Sequence, residues 1–382
     1  MQHQKLLILD YGSPYTPLIA RRAREFGVYS ELHIGTLSAA EVAAMEPHGL
    51  VLSGGPMSVY DDGAPALDPE ILNLKRADGS RLPILGVCYG LQAIAHNLNG
   101  HVAGADHREF GRAHLRVQDA GDPLLAGIPE GSNVWMSHSD RLEKLPTGFR
   151  ITATTDSSPL AAVRSDDAPI WGVQFHPEVV HTEHGGTLLR NFTHGICGFR
   201  GDWTAASFVE EKVDQIREQV GDGRVILGLS GGVDSSVAAV LLHKALGDQL
   251  TCIFVDNGML RKGEFEQVQH TFAQDIGIHL VAEDASALFL DRLEGVADPE
   301  RKRKIIGGTF VEVFDAVTSR VAAERGGRAA FLAQGTLYPD VIESLSFKGP
   351  SATIKTHHNV GGLPKELGFE LIESFRELFK DE

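Results

Sequence analysis

Leu85-Gly86-Val87-Cys88-Tyr89-Gly90 is an apolar run that ends on a cysteine set between glycines. Residues 83–87 read as a buried strand and 91–98 as an apolar helix, which puts Cys88 at a strand-to-helix turn. Such a turn exposes a side chain at the carboxyl edge of a sheet, and the helix N-terminus favours a thiolate there. Gly86 and Gly90 keep the turn free of Cβ clashes. The same pattern extends on both sides. A strand at 5–9 precedes a helix at about 15–26, and a buried strand at 49–52 ends in Ser53-Gly54-Gly55-Pro56. Short apolar strands alternating with helices predict a parallel sheet covered on both faces. Residues 151–155, 160–163 and 170–174 read as antiparallel strands, followed by a closing helix near 187–196.

From about 198 to 223 the texture changes. Val209, Val213, Ile216 and Val220 recur at helical spacing in a charged stretch. They predict a helix that either bridges two domains or belongs wholly to the second. A fresh β-α-β series follows, with a strand at 224–229, a helix at 235–246, a strand at 250–255 and a later strand at 330–334. A chain of 382 residues is too long for one ordinary core. The expected domains are residues 1–200 and 201–382.

The net charge of −16 argues against a nucleic-acid surface, which needs a basic stripe to displace counterions. A small anionic ligand remains compatible, because local groups decide its binding. The three cysteines, Cys88, Cys197 and Cys252, are far apart, so neither a disulfide framework nor a zinc ribbon is indicated. The N-terminus runs straight into a strand without a signal-peptide pattern, and no apolar run approaches the ~20 residues of a membrane helix. A cytoplasmic protein with no membrane partner is expected.

A lone cysteine is ordinarily a buried structural residue, but two features argue otherwise for Cys88. In Gln174-Phe175-His176-Pro177-Glu178, Pro177 biases His176 toward an extended conformation, where residues i and i+2 share a face. Glu178 then orients the imidazole while His176 takes the proton of Cys88. The Gly-rich turn Ser53-Gly54-Gly55-Pro56 can present backbone N–H groups to a developing oxyanion. Alone, the first is an ordinary surface turn and the second an ordinary connection.

Together these residues resemble the class I (triad) glutamine amidotransferases over roughly residues 5–198. The resemblance implies a flavodoxin-like domain with Cys88 as nucleophile, His176 as base and Glu178 as its orienting carboxylate. It also implies oxyanion donors at Gly55 and Tyr89, and glutamine contacts at Gln92 and around Ser137-His138-Ser139-Asp140. The products would be glutamate and ammonia, through a thioester.

Ser230-Gly231-Gly232-Val233-Asp234-Ser235-Ser236 follows the 224–229 strand and opens the next helix. Backbone amides and hydroxyls at a helix N-terminus form an anion site. The lysine of a Walker A loop is absent. Asp234 sits badly against bare phosphate, so a bridging Mg²⁺ is expected. The loop resembles the PP-loop of ATP pyrophosphatases, an adenine nucleotide α-hydrolase-like fold that cleaves ATP between the α- and β-phosphates. Val255, in Phe254-Val255-Asp256-Asn257-Gly258, ends the next strand, where adenine and ribose usually sit. The run Asp298-Pro299-Glu300-Arg301-Lys302-Arg303-Lys304 is by itself a solvated charge run, and no further ligands make a zinc site of the His357-His358 pair.

Three longer stretches narrow the resemblance: the 298–307 run ending Ile305-Ile306-Gly307, then Gln334-Gly335-Thr336-Leu337-Tyr338-Pro339-Asp340-Val341-Ile342-Glu343-Ser344, then Lys355-Thr356-His357-His358-Asn359-Val360-Gly361-Gly362-Leu363-Pro364. With the domain order they resemble the glutamine-hydrolysing GMP synthase family over nearly the whole chain. That family implies a ligase of purine biosynthesis: ATP adenylates xanthosine monophosphate (XMP) at C2, and ammonia from the first domain displaces AMP. Lys355 would stabilise phosphate charge, and His357 and His358 would ride on a lid. In the family a dimerisation domain supplying much of the XMP pocket follows the segment that here ends at Glu382, so the expected homodimer is in doubt. Pro14 and Pro17 replace glutamines usual in the family, at a helix start where proline is tolerated. Two rival expectations stand beside the ligase: amidation of a different acceptor, and a degenerate paralogue that keeps glutaminase and ATP binding.

Overall fold

Every residue from Leu6 to Leu9 is buried, and so is every residue of Gly49–Leu52 and Ile84–Val87. Continuous apolar burial of this kind requires cover on both faces of a parallel sheet. The computed structural model describes residues 3–344, 368–380 and 382, and the chain divides into two compact units, Met1–Thr204 and Ala205–Glu382.

In the first unit the elements are β1 (Lys5–Asp10), α1 (Thr16–Glu25), β2 (Tyr29–Ile34), α2 (Ala39–Ala44), β3 (Gly49–Leu52), β4 (Ile84–Val87), α3 (Tyr89–Asn97), β5 (His101–His114), β6 (Arg116–Val117), β7 (Asn133–Lys144), β8 (Phe149–Thr154), β9 (Ala162–Ser165), β10 (Ile170–Val173) and α4 (Gly185–Arg190). Eight strands form one sheet in the order β2-β1-β3-β4-β10-β9-β8-β6. The five from β2 to β10 are mutually parallel, and the remainder are antiparallel. Strands β5 and β7 stand apart as a long antiparallel ribbon.

Three expectations need correction. The 170–174 segment is antiparallel only toward β9; toward β4 it is parallel, a fully buried inner strand rather than a hairpin partner. The helix after Cys88 begins at Tyr89, two residues earlier than its apolar run suggests, so the thiol lies directly on its N-terminus. The closing helix starts at Gly185 and loosens into a π-helical segment, Asn191–Cys197, before Gly198 ends it at φ 76°. Pro17 falls in the first turn of α1, where its missing N–H costs nothing.

In the second unit α5 (Ala205–Val220) precedes β11 (Val225–Leu229), α6 (Val233–Leu246), β12 (Leu250–Asp256), α7 (Glu264–Gln269), β13 (Leu280–Asp284), α8 (Ser286–Leu293), α9 (Pro299–Glu324), β14 (Phe331–Gln334), α10 (Tyr338–Ser344) and β15 (Glu370–Glu373). Helix α5 belongs to this unit and packs on α6, burying Phe208, Val213, Ile216 and Val220. The five strands are all parallel in the order β13-β12-β11-β14-β15. The order reverses between β11 and β14, and ligands of such sheets bind in the crevice beyond the strand carboxyl ends at that point. The 298–304 charge run is the exposed first turn and a half of α9, capped by the Asp298 side chain accepting from the Arg301 N–H at 2.8 Å.

Candidate active sites

Cys88 occupies the residue between β4 and α3 at φ 50°, ψ −104°, a conformation L-residues rarely adopt. Its N–H is fixed by the Val173 carbonyl of the neighbouring strand at 2.8 Å. The turn closes because two glycines let backbones meet. A Cβ on Gly90 would fall on the Leu52 carbonyl, and one on Gly86 on the backbone of Gly90 and Leu91. Gly90→Ala is therefore expected to cost about 3 kcal/mol, at the upper end of overpacking. Gly195→Ala, where a Cβ meets nothing within 4 Å, should be near neutral. Urea unfolding of the two variants checks the contrast.

Because β4 and β10 are adjacent and parallel, the chain leaving β10 delivers His176 to the edge where β4 delivers Cys88. His176 Nδ1 lies 2.7 Å from Glu178 Oε1, and both side chains are at most 3% exposed. Tyr15 packs edge-on against the imidazole, with ring centroids 5.2 Å apart. Burial by itself pushes the imidazole toward neutrality. Hydrogen bonds to Cys88 and Glu178, and the charges they carry, outweigh that and hold His176 well above the ordinary histidine range. The other face of the thiol meets the Ser137 carbonyl at 3.8 Å and the Gln174 Nε2 at 3.7 Å.

A cleft of about 270 Å³ opens over Cys88 and His176. Gly55, Gln92, Ser137 and His138 all line it, together with Met57, Phe110 and Asp140. Gln92 Nε2 donates to the Asp140 carbonyl at 2.7 Å, which holds the amide group in the cleft wall. The Tyr89 N–H is the first of α3 and has no acceptor inside that helix. Gly54 passes so close to the imidazole that a Cβ there would sit 2.9 Å from His176 Cε1. Nucleophile and imidazole thus open onto one cleft, with the carboxylate buried behind the imidazole, an arrangement suited to acyl transfer.

In the second unit, Ser230–Ser236 joins β11 to α6 at the switch point. The loop is braced from within: Ser230 and Ser235 hydroxyls lie 2.9 Å apart, Ser235 Oγ accepts from the Ser230 N–H at 3.2 Å, and Ser236 Oγ donates to the Gly232 carbonyl at 2.8 Å. Gly231 takes φ 74°, and a side chain there would press on Glu264 Oε1. Helix α6 begins at Val233, so Gly232 is its N-cap and Asp234 lies in its first turn. The loop after β14 runs against that turn: a Cβ on Gly335 would be 3.4 Å from the Asp234 carbonyl carbon. Val255 is a core residue, packed with Ile226 and Ile253, so only its backbone stands near the edge. The Asp256 side chain accepts from the Gly258 N–H at 2.7 Å, shaping that edge. Lys355, His357 and His358 lie outside the described residues.

One residue escaped the sequence reading. Lys380 Nζ lies 3.3 Å from Asp234 Oδ2, placing a cation at the mouth of the loop. The two are 146 positions apart, and Phe379-Lys380-Asp381 has no local pattern to single it out.

Residues 7–196 match the class-I glutamine amidotransferase family model, and 205–288 match the NAD synthase model. Among curated relatives, a Nitrobacter hamburgensis protein named GMP synthase [glutamine-hydrolyzing] is 54% identical over 384 residues, covering 100% of this chain and 70% of its own length. The chain belongs to the glutamine-hydrolysing GMP synthase family. A Limosilactobacillus reuteri protein of the same name is 52% identical over 378 residues, covering 99% of this chain and 71% of its own. A third, from Maridesulfovibrio salexigens, is 50% identical over 385 residues, covering 100% and 72%. The family's amidotransferase and PP-loop halves correspond to the two α/β units described above. Among the described residues, no helix is long and apolar enough to cross a membrane.

Proposed function

We propose that the chain converts XMP to GMP, with glutamine as nitrogen donor and ATP cleaved to AMP and pyrophosphate. The observation that carries this reading is the occurrence of both sites on one chain that aligns over 99–100% of its own length with 70–71% of relatives named for that reaction. In the first site the Cys88 thiolate attacks the side-chain carbonyl carbon of glutamine. Backbone N–H groups of Gly55 and Tyr89 receive the oxyanion, and His176 gives its proton to the leaving ammonia. Water, deprotonated by His176, then releases glutamate from the thioester. Glu178 holds the imidazole in place and stabilises its charged form.

In the second site the C2 oxygen of XMP attacks the α-phosphorus of ATP, releasing pyrophosphate. Ammonia adds at C2, and AMP leaves with that oxygen. The Ser230–Ser236 amides and hydroxyls hold the polyphosphate at the N-terminus of α6. Asp234, one-third exposed beside the loop, would hold a Mg²⁺ against the bound polyphosphate. Such an ion, when bound, neutralises charge on the departing pyrophosphate. A free catalytic thiol also calls for a reducing compartment, so we place the enzyme in the cytoplasm.

The test is pyrophosphate release in the presence of XMP and ATP, with glutamine or ammonium as donor. Release with both donors is expected, and release with neither would overturn the reading. Lys380→Ala should lower ammonium-driven release on the order of 10-fold or more, since an ammonium beside the polyphosphate stabilises transition-state charge. Steady-state rates with saturating ammonium check it.

A further inference from the structure

Thr182 lies six residues beyond His176 and touches neither the thiol nor the cleft, yet its hydroxyl is wired to the base. Its Oγ1 donates to the His176 carbonyl at 2.6 Å and accepts from the Trp135 N–H at 3.0 Å. The His176 N–H donates to the Trp135 carbonyl at 3.0 Å. The backbone of His176 is therefore tied to Trp135 on both sides, once directly and once through the Thr182 hydroxyl. Thr182 is itself buried and anchored, since its N–H donates to the Val179 carbonyl at 3.2 Å.

Trp135 belongs to β7, and β7 also sets the other partners. Two residues on, the Ser137 carbonyl meets the Cys88 sulfur. Five residues on, the Asp140 carbonyl holds the Gln92 amide. One strand is thus the common ruler for base, nucleophile and Gln92. The base reaches that ruler through a loop, which on its own is the least rigid of the three attachments. We propose that Thr182 is a positioning residue for the glutaminase reaction, its hydroxyl clamping the His176 loop to β7 so that the imidazole stays in register with Cys88. The proposal rests on the glutaminase reading of the first site.

A valine at this position keeps the shape but leaves two buried backbone groups facing a methyl, so the loop must shift to satisfy them. A serine loses only a methyl and keeps both bonds. The two substitutions therefore separate packing from positioning. Thr182→Val is expected to lower kcat for glutamine hydrolysis on the order of 10- to 100-fold, the scale of a small misplacement of a reacting group. KM should stay within about threefold, because no contact to glutamine is lost. Thr182→Ser should keep kcat within about threefold of the parent even where its thermal midpoint falls. Thr182→Ala, which gives the loop room to relax, is the second hydroxyl-less variant should the valine protein fail to fold.

Glutamate release by the full chain, with kcat and KM determined separately for the parent and the three variants, decides the matter. Loss of kcat in the hydroxyl-less proteins with rescue by serine bears the proposal out. Parent-like kcat in Thr182→Val or Thr182→Ala, or an equal loss in Thr182→Ser, overturns it. A parent chain that releases no glutamate, or a Cys88→Ala protein that releases as much as the parent, instead overturns the glutaminase reading itself.

Discussion

Cys88→Ala should abolish glutamine-driven GMP formation while leaving ammonium-driven formation intact. The expected fall in glutamine hydrolysis is on the order of 10³-fold or more, because removing the nucleophile of a triad forfeits covalent catalysis entirely. The structure gives the thiol no understudy. Cys197 and Cys252 are buried, and burial pushes both thiols upward, Cys252 to about 12. Loss of the sulfur should not disturb ammonium use, because an external donor needs no thioester. The turn itself should also survive, since Cys88 is held by a backbone bond from β10 and not by its sulfur alone. Glutamate release and GMP formation, each measured with both donors, check the separation.

The mirror-image result is expected at the other site. Asp234→Asn should reduce XMP-dependent pyrophosphate release on the order of 10²- to 10³-fold with either donor, the usual scale for losing one charged group aimed at a reacting centre. Asp234 lies in the first turn of α6, where an aspartate is already favoured by the helix dipole. Asparagine keeps the shape while deleting the charge that would hold Mg²⁺ and pair with Lys380. The fold should survive, and glutamine hydrolysis measured without nucleotides should match the parent. Raising Mg²⁺ should restore part of the lost rate if the defect is metal affinity. Pyrophosphate release across a Mg²⁺ titration checks this.

The reasons why some of this was legible in the sequence, and some not, are physical. A buried strand ending in a cysteine between glycines leaves few alternatives, because only that turn tolerates φ 50° at Cys88 with Gly90 against Leu52. His-Pro-Glu named the right pair, His176 and Glu178 at 2.7 Å, but Pro177 and Glu178 lie in a turn and not in the extended run that the spacing predicts. What escaped were facts set by partners distant in the chain. The parallel side of β10 depends on β4, about 85 residues earlier, while its local apolar run fits either pairing. The β5–β7 ribbon holds few apolar residues and pairs with two register shifts, so its strands carry little local signal, and Lys380 acquires meaning only beside Asp234. Thr182 is of the same kind: its hydroxyl matters because Trp135, 47 residues away, needs an acceptor.

The central claim is that nitrogen released at Cys88 ends on the purine activated at the Ser230–Ser236 loop. Incubating the chain with glutamine labelled with ¹⁵N at its side-chain amide, XMP, ATP and Mg²⁺, and reading the product by mass spectrometry, tests it most directly. The account predicts GMP carrying one ¹⁵N at its exocyclic amine, one pyrophosphate released per GMP, and no labelled GMP from Cys88→Ala. Glutamate formed without labelled GMP, or labelled GMP from Cys88→Ala, would contradict it.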